Sequence, residues 1–174
     1  MKILVSLFIA TFFLVSDSGA QKIFATRNAK VTFSAPNDDD VTAVNNEVTS
    51  RIADNGQITF SLLIKGFKFK YAEMQDHFND QYLESTKFPR ADFKGNITNL
   101  SEVNFAKEGS YKATVSGDLT LHGVTKKVTV NGTIEVKAGK PAVNAKFTIV
   151  MSDFNVSAKS VAEKVNAEVS CQYQ

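Results

Sequence analysis

The sequence predicts an all-β domain of about eight strands with one inserted helix, arranged as a sandwich or a closed antiparallel barrel. Three observations carry that reading. Apolar and polar residues alternate at period two along most of the chain. Turn signals containing glycine or proline separate the alternating runs. Only across residues 72–87 does the apolar spacing change to that of a helix.

The clearest alternation is residues 111–136, YKATVSGDLTLHGVTKKVTVNGTIEV, which reads as a hairpin centred on His122-Gly123. Tyr111, Ala113, Val115, Leu119 and Leu121 share one parity going out, and Val128, Val130, Ile134 and Val136 share one coming back. A loop over residues 122–125 would set Leu119 against Val128, Ala113 against Ile134 and Tyr111 against Val136. On the other face it would set Lys112 against Glu135 and Thr114 against Thr133. A slip of one residue would expose the whole apolar face, whereas a slip of two keeps the faces and changes only the pairs. Gly117 and Gly132 interrupt the apolar face and mark a bend, a bulge or a close approach, or room for a ligand. The next turn, residues 138–141, would pair Val136 with Val143, Ile134 with Ala145, Gly132 with Phe147 and Val130 with Ile149, laying an aromatic ring over a glycine.

From the start of the chain, Met1-Lys2, an apolar run over residues 3–15 and Ser18-Gly19-Ala20 have the form of a secretory signal peptide over residues 1–20, cleaved after Ala20. The run is shorter than the roughly 20 apolar residues of a membrane span, so no stable membrane insertion is expected after cleavage. The expected domain is residues 21–174. Val31, Phe33 and Ala35 form one strand, residues 36–40 a polar turn, and residues 41–52 a second strand closed by Asn55-Gly56. Residues 57–70 form a third, with Ile58, Phe60, Leu62 and Ile64 in step. Met74, Phe78 and Tyr82 then recur every four residues, predicting a helix near residues 73–87 that Phe88-Pro89 ends. Ala91, Phe93 and Ile97 resume a strand, and residues 165–173 supply the last.

Composition excludes several function classes. Twenty basic and eighteen acidic residues leave a net charge of +2, too balanced for a nucleic-acid partner. Cys171 is the single cysteine and shares the parity of Val165, Ala167, Val169 and Tyr173, as a buried apolar side chain would, rather than a nucleophile. His77 and His122 are the two histidines, and neither lies in a catalytic motif. His122 reads as a turn residue. His77 stands four residues after Glu73, a spacing that two metal ligands on one helix face share with an ordinary surface pair. Asp38-Asp39-Asp40 lacks the spaced oxygens of a calcium loop and reads as a solvated acidic turn. No cofactor is expected. Asn-x-Ser/Thr triplets begin at Asn96, Asn99, Asn131 and Asn155 and would matter only in a eukaryotic secretory route.

Two stretches resemble the YceI-like family. One runs Met74-Gln75-Asp76-His77-Phe78-Asn79, then Tyr82-Leu83-Glu84-Ser85 and Lys87-Phe88-Pro89-Arg90-Ala91-Asp92-Phe93. The other is residues 117–126, GDLTLHGVTK. The resemblance implies an eight-stranded antiparallel, lipocalin-like barrel that encloses a long apolar lipid, in a bacterial periplasmic or secreted setting. Residues 66–71 lead almost directly into the helix, a shorter connection than many members have, which points to a smaller or closed interior.

The expected function is therefore non-enzymatic binding of an isoprenoid quinone, a polyprenyl chain or a fatty-acyl chain inside the barrel. Candidate lining residues are Phe60, Leu62, Phe69, Met74, Phe78, Tyr82, Val115, Leu119, Val130, Phe147 and Ile149. The expected partner is an isoprenoid or other long-chain lipid, and assembly into a homodimer stays open. The rival reading is an envelope-stress or structural protein with a packed barrel that acts through a protein partner. An enzymatic reading would require a metal at His77, held with Glu73 or with a partner from elsewhere in the chain.

Overall fold

The period-two alternation folds into nine antiparallel strands, as the computed structural model shows for residues 21–36, 38–157 and 162–174. The expected signal peptide lies outside the described residues, as do the side chains of residues 38–40. The strands are β1 (Ile23–Ala35), β2 (Asp38–Ala53), β3 (Gln57–Leu63), β4 (Lys68–Phe69), β5 (Arg90–Ile97), β6 (Gly109–Leu121), β7 (Val124–Lys137), β8 (Lys140–Val150) and β9 (Lys164–Gln172). Their order is β1-β9-β8-β7-β6-β5-β3-β2, and pairing of β1 with β2 closes the ring into an eight-stranded barrel. β4 is an extra two-residue strand on β2. Closure removes the two edge strands that an open sheet would present.

The faces expected for β6 to β8 hold, but the pairs are displaced by two residues. Leu119 lies opposite Lys126, Ala113 opposite Gly132 and Tyr111 opposite Ile134, because the turn is the two-residue His122-Gly123 with φ of 51° and 72°. Lys112 meets Thr133 instead of Glu135, and Thr114 meets Asn131. Between β7 and β8 the two-residue turn Ala138-Gly139, φ 50° and 71°, sets Val136 against Pro141, Ile134 against Val143 and Gly132 against Ala145. Two consecutive positive φ values match the twist of a tight hairpin, and that fixes both registers.

Three other expectations are corrected. β1 begins at Ile23, and register shifts between Thr26 and Ala29 and between Ala29 and Val31 mask its alternation in the sequence. β2 begins at Asp38, so the expected acidic turn is strand backbone. The strand expected over residues 57–70 breaks at a 3₁₀ turn, Ile64–Gly66. A Cβ on Gly66 would stand 2.6 Å from Nδ2 of Asn45, a fully buried side chain that donates to the Leu63 carbonyl at 3.0 Å and accepts from the Glu47 amide at 2.9 Å.

The helix is shorter than its periodicity implies. α1 (Ala72–His77) passes into one π-helical turn, Phe78–Tyr82, which ends as the Leu83 amide bonds the Phe78 carbonyl. Glu84 follows with φ 42°, a left-handed conformation that stops helical continuation before Phe88-Pro89 is reached.

Two buried clusters occupy opposite ends of the barrel. One joins Phe24 near the start of β1 to Ile52 near the end of β2, Ile134 and Val136 late in β7, Val143 early in β8 and Cys171 late in β9. The other joins Ala43, Ile64, Leu121, Val165 and the helix-bearing segment through Phe67, Phe78 and Leu83. There Phe33 stacks on Phe78 at 5.2 Å and meets Phe67 and Phe69 edge-on at 5.3 and 5.5 Å.

Candidate functional site

Between the two end clusters lies a cavity of about 150 Å³. Inward residues of every long barrel strand except β2 contribute to it, because antiparallel pairing brings the middle of each strand to the same height. Seven of the eleven sequence-derived candidates meet there: Phe60, Leu62, Val115, Leu119, Val130, Phe147 and Ile149. The other four, Phe69, Met74, Phe78 and Tyr82, line a separate cavity of about 60 Å³ at the helix end, with Phe33, His77 and Met151.

Sequence reasoning missed Val31, Ile58, Phe93, Val128 and Val169, which also line the larger cavity. Each has the inward parity of its strand, so alternation alone carries the signal. The lining is otherwise aliphatic, and Asp92, the one charged residue in it, has its carboxylate bound by Ser61 and by Arg90. Such a surface offers apolar area and no strong polar anchor.

Gly117 and Gly132 leave no room for a ligand. A Cβ on Gly117 would stand 2.5 Å from the Gly95 Cα and 2.7 Å from the Phe93 ring. On Gly132 it would stand 2.6 Å from the Asn144 carbonyl oxygen. Both glycines serve close strand approach, and the aromatic ring over a glycine is Phe93, in place of the expected Phe147.

The ladder between β7 and β8 runs only from Lys137–Lys140 to Gly132–Ala145. Beyond that point, residues 124–131 of β7 remain paired with β6, and residues 146–150 of β8 remain paired with β9, but the two strands do not pair with each other. A slot of about 370 Å³ opens between them. Leu119, Val128, Val130, Phe147 and Ile149 line both the slot and the interior cavity.

At the helix end, His122 fastens three segments. Its Nε2 lies 2.8 Å from a Glu84 carboxylate oxygen, its Nδ1 lies 3.1 Å from the Phe154 carbonyl, and its ring meets Phe88 edge-on at 4.4 Å. Both polar partners are acceptors, so a ring nitrogen that carries a hydrogen donates to the one it faces. His122 is thus a turn residue, as expected, and also a clamp. At the other end Tyr173 and Ser50 share a hydroxyl bond of 2.7 Å beside Cys171. Burial pushes the Cys171 thiol up to about 12, consistent with a buried apolar side chain, and also raises the Tyr173 hydroxyl, with Cys171 adding to that rise.

Among the described residues, no group of three or more His, Cys, Asp or Glu is placed to hold a metal ion. Nor is any helix among them long and apolar enough to cross a membrane.

The family model of the YceI-like domain matches residues 18–173. The chain belongs to the YceI-like family. A UPF0312 protein of Pseudomonas putida (strain W619) is 28% identical over 110 residues, covering 59% of this chain and 54% of that relative, so the chain spans about half the relative's length. Among solved structures, a polyisoprenoid binding domain from Saccharophagus degradans superposes with a TM-score of 0.74 at 13% identity, over 87% of this chain and 97% of that one. BcnA of Burkholderia cenocepacia gives 0.68 at 19% identity, over 82% and 94%. The Campylobacter jejuni YceI protein gives 0.52 at 19%, over 68% and 72%. At these identities the likeness is one of fold, and the YceI-like barrel is the shared element.

Proposed function

We propose that this YceI-like chain is a non-enzymatic carrier or scavenger, periplasmic or secreted, that buries the tail of an isoprenoid quinone, a polyprenyl or a fatty-acyl lipid in its barrel. The observation that carries the reading is the apolar cavity held between two packed ends. A packed barrel acting through a protein partner would have no need of that void, and close packing normally removes one. The polyisoprenoid binding domain of Saccharophagus degradans, which shares the fold, supports the same ligand class.

Size limits how the tail sits. A void of about 150 Å³ holds a benzene-sized group, comparable to one isoprene unit. Burying five carbons contributes about 4 kcal/mol, which corresponds to millimolar binding before association costs are counted. Several units must therefore be buried for tight binding, so the tail extends beyond the cavity or widens it. Phe60, Leu62, Val115, Leu119, Val130, Phe147 and Ile149 are the proposed contacts, while Phe69, Met74, Phe78 and Tyr82 would meet a tail that displaces the helix-end packing.

The test is a fluorescence titration with a long-chain polyene fatty acid on the parent and on Val115→Phe, which fills the cavity. At least tenfold weaker binding by a variant that melts within a few degrees of the parent supports the proposal. Equal binding by both places the lipid elsewhere and overturns it.

A further inference from the structure

A tail bound inside the barrel must reach a cavity whose two ends are filled by buried clusters. The slot between β7 and β8 is a place where the wall is unpaired, and five side chains belong to slot and cavity alike. Its outer part is polar and carries Lys126 and Lys127 against a single carboxylate, Asp153.

Lys126 is unusual in its parity. It stands two residues before Val128 and four before Val130, opposite Leu119, so it is an exposed lysine within the inward row of β7, between the half-buried Val124 and Val128. Elsewhere near the slot a lysine is neutralised: Lys146 pairs with Glu168 across β8 and β9. Neither the Lys126 nor the Lys127 side chain has an ion-pair or hydrogen-bond partner among the described residues. An ammonium at the rim of an apolar channel complements an anion attached to a chain.

Resting on the lipid-tail reading above, we propose that the ligand is an anionic amphiphile that enters sideways through the β7–β8 slot. Its tail passes between Val128, Val130, Phe147 and Ile149 into the barrel, and its phosphate or carboxylate stays at the mouth beside Lys126 and Lys127. The shared side chains favour a lipid over a peptide strand, which would need only the free backbone edges.

Two measurements on the full chain test this. The first titrates farnesol and farnesyl monophosphate, which share a tail and differ in the head. The phosphate should bind at least tenfold tighter at low salt, and that ratio should fall to within twofold in Lys126→Gln/Lys127→Gln. A parent ratio near one, or a ratio the double variant leaves unchanged, overturns the head-group assignment. Binding of neither compound overturns the lipid reading as well, so the two failures are distinguishable.

The second places cysteines on the outer faces of the two strands, Thr129→Cys with Thr148→Cys, in a Cys171→Ala background. Bridging them by oxidation, or by a short bis-maleimide where the span exceeds a disulfide, should slow farnesol association at least tenfold relative to the same protein unbridged. An unchanged rate rules out the lateral route. Bridging by an added β-strand peptide in place of lipid uptake, read as protection of the residue 124–131 amides by peptide alone, would assign the slot to a peptide and overturn the proposal.

Discussion

Gly95 and Gly117 face each other across β5 and β6 so closely that a Cβ on Gly117 would lie 2.5 Å from the Gly95 Cα. The contact is backbone against backbone, with the Lys94 carbonyl oxygen also 2.5 Å from that Cβ position, and neither group can swing aside as a flexible side chain would. Gly117→Ala is therefore expected to destabilise the fold by about 1–3 kcal/mol in chemical denaturation, through forced backbone displacement. Gly117→Leu should lose folding and lipid retention together. A neutral Gly117→Ala would show that the strands have slack there.

The clamp at His122 makes a different prediction. His122→Ala removes the bonds to Glu84 and Phe154 and the ring contact with Phe88, and it forces Ala to φ 51°. Asn tolerates that backbone better, so His122→Asn separates turn strain from the loss of the clamp. Both variants should lose about 1 kcal/mol or more. In both, hydrogen exchange should quicken at residues 78–88, and unchanged exchange there would remove the clamp from the account.

High pH should weaken the fold from within. The thiol of Cys171 moves from 9.0 to about 12, and the Tyr173 hydroxyl also rises above its ordinary 10.0, because burial disfavours both anions. The folded chain then keeps protons that the unfolded chain releases, so stability is intact below about pH 9 and falls as pH climbs towards 12. Thermal melts between pH 7 and 11 should show this decline, and Cys171→Ala should flatten its first part. The same burial predicts that Cys171 reacts with a thiol reagent only on unfolding.

The sequence made the faces legible but not the pairs, because His122 and Ala138 adopt a positive φ that neither residue type signals strongly. Alternation placed Val115, Leu119, Val130, Phe147 and Ile149 on inward rows that the barrel brings to one cavity. Four-residue loops over residues 122–125 and 138–141 would displace the pairs by two, whereas His122-Gly123 and Ala138-Gly139 each take two consecutive positive φ values and close a two-residue hairpin turn. Met74, Phe78 and Tyr82 share a helical spacing and Phe69 falls at the end of the expected third strand, but the π-helical turn and the ring cluster around Phe33 draw all four into the end plug. The slot left no mark in the sequence. It exists because pairing stops at Gly132–Ala145, and period two continues unbroken through that point on both strands.

The central claim, a lipid tail inside the barrel, is tested most directly by what the protein carries. Protein purified from its native host without detergent, extracted with organic solvent and examined by mass spectrometry, should yield close to one equivalent of a single lipid class with an isoprenoid or acyl chain. That chain should exceed one isoprene unit, given the small cavity. A clean extract, from protein that also stays empty after incubation with a total lipid extract, would contradict the account and turn attention to partners of the barrel's outer surface.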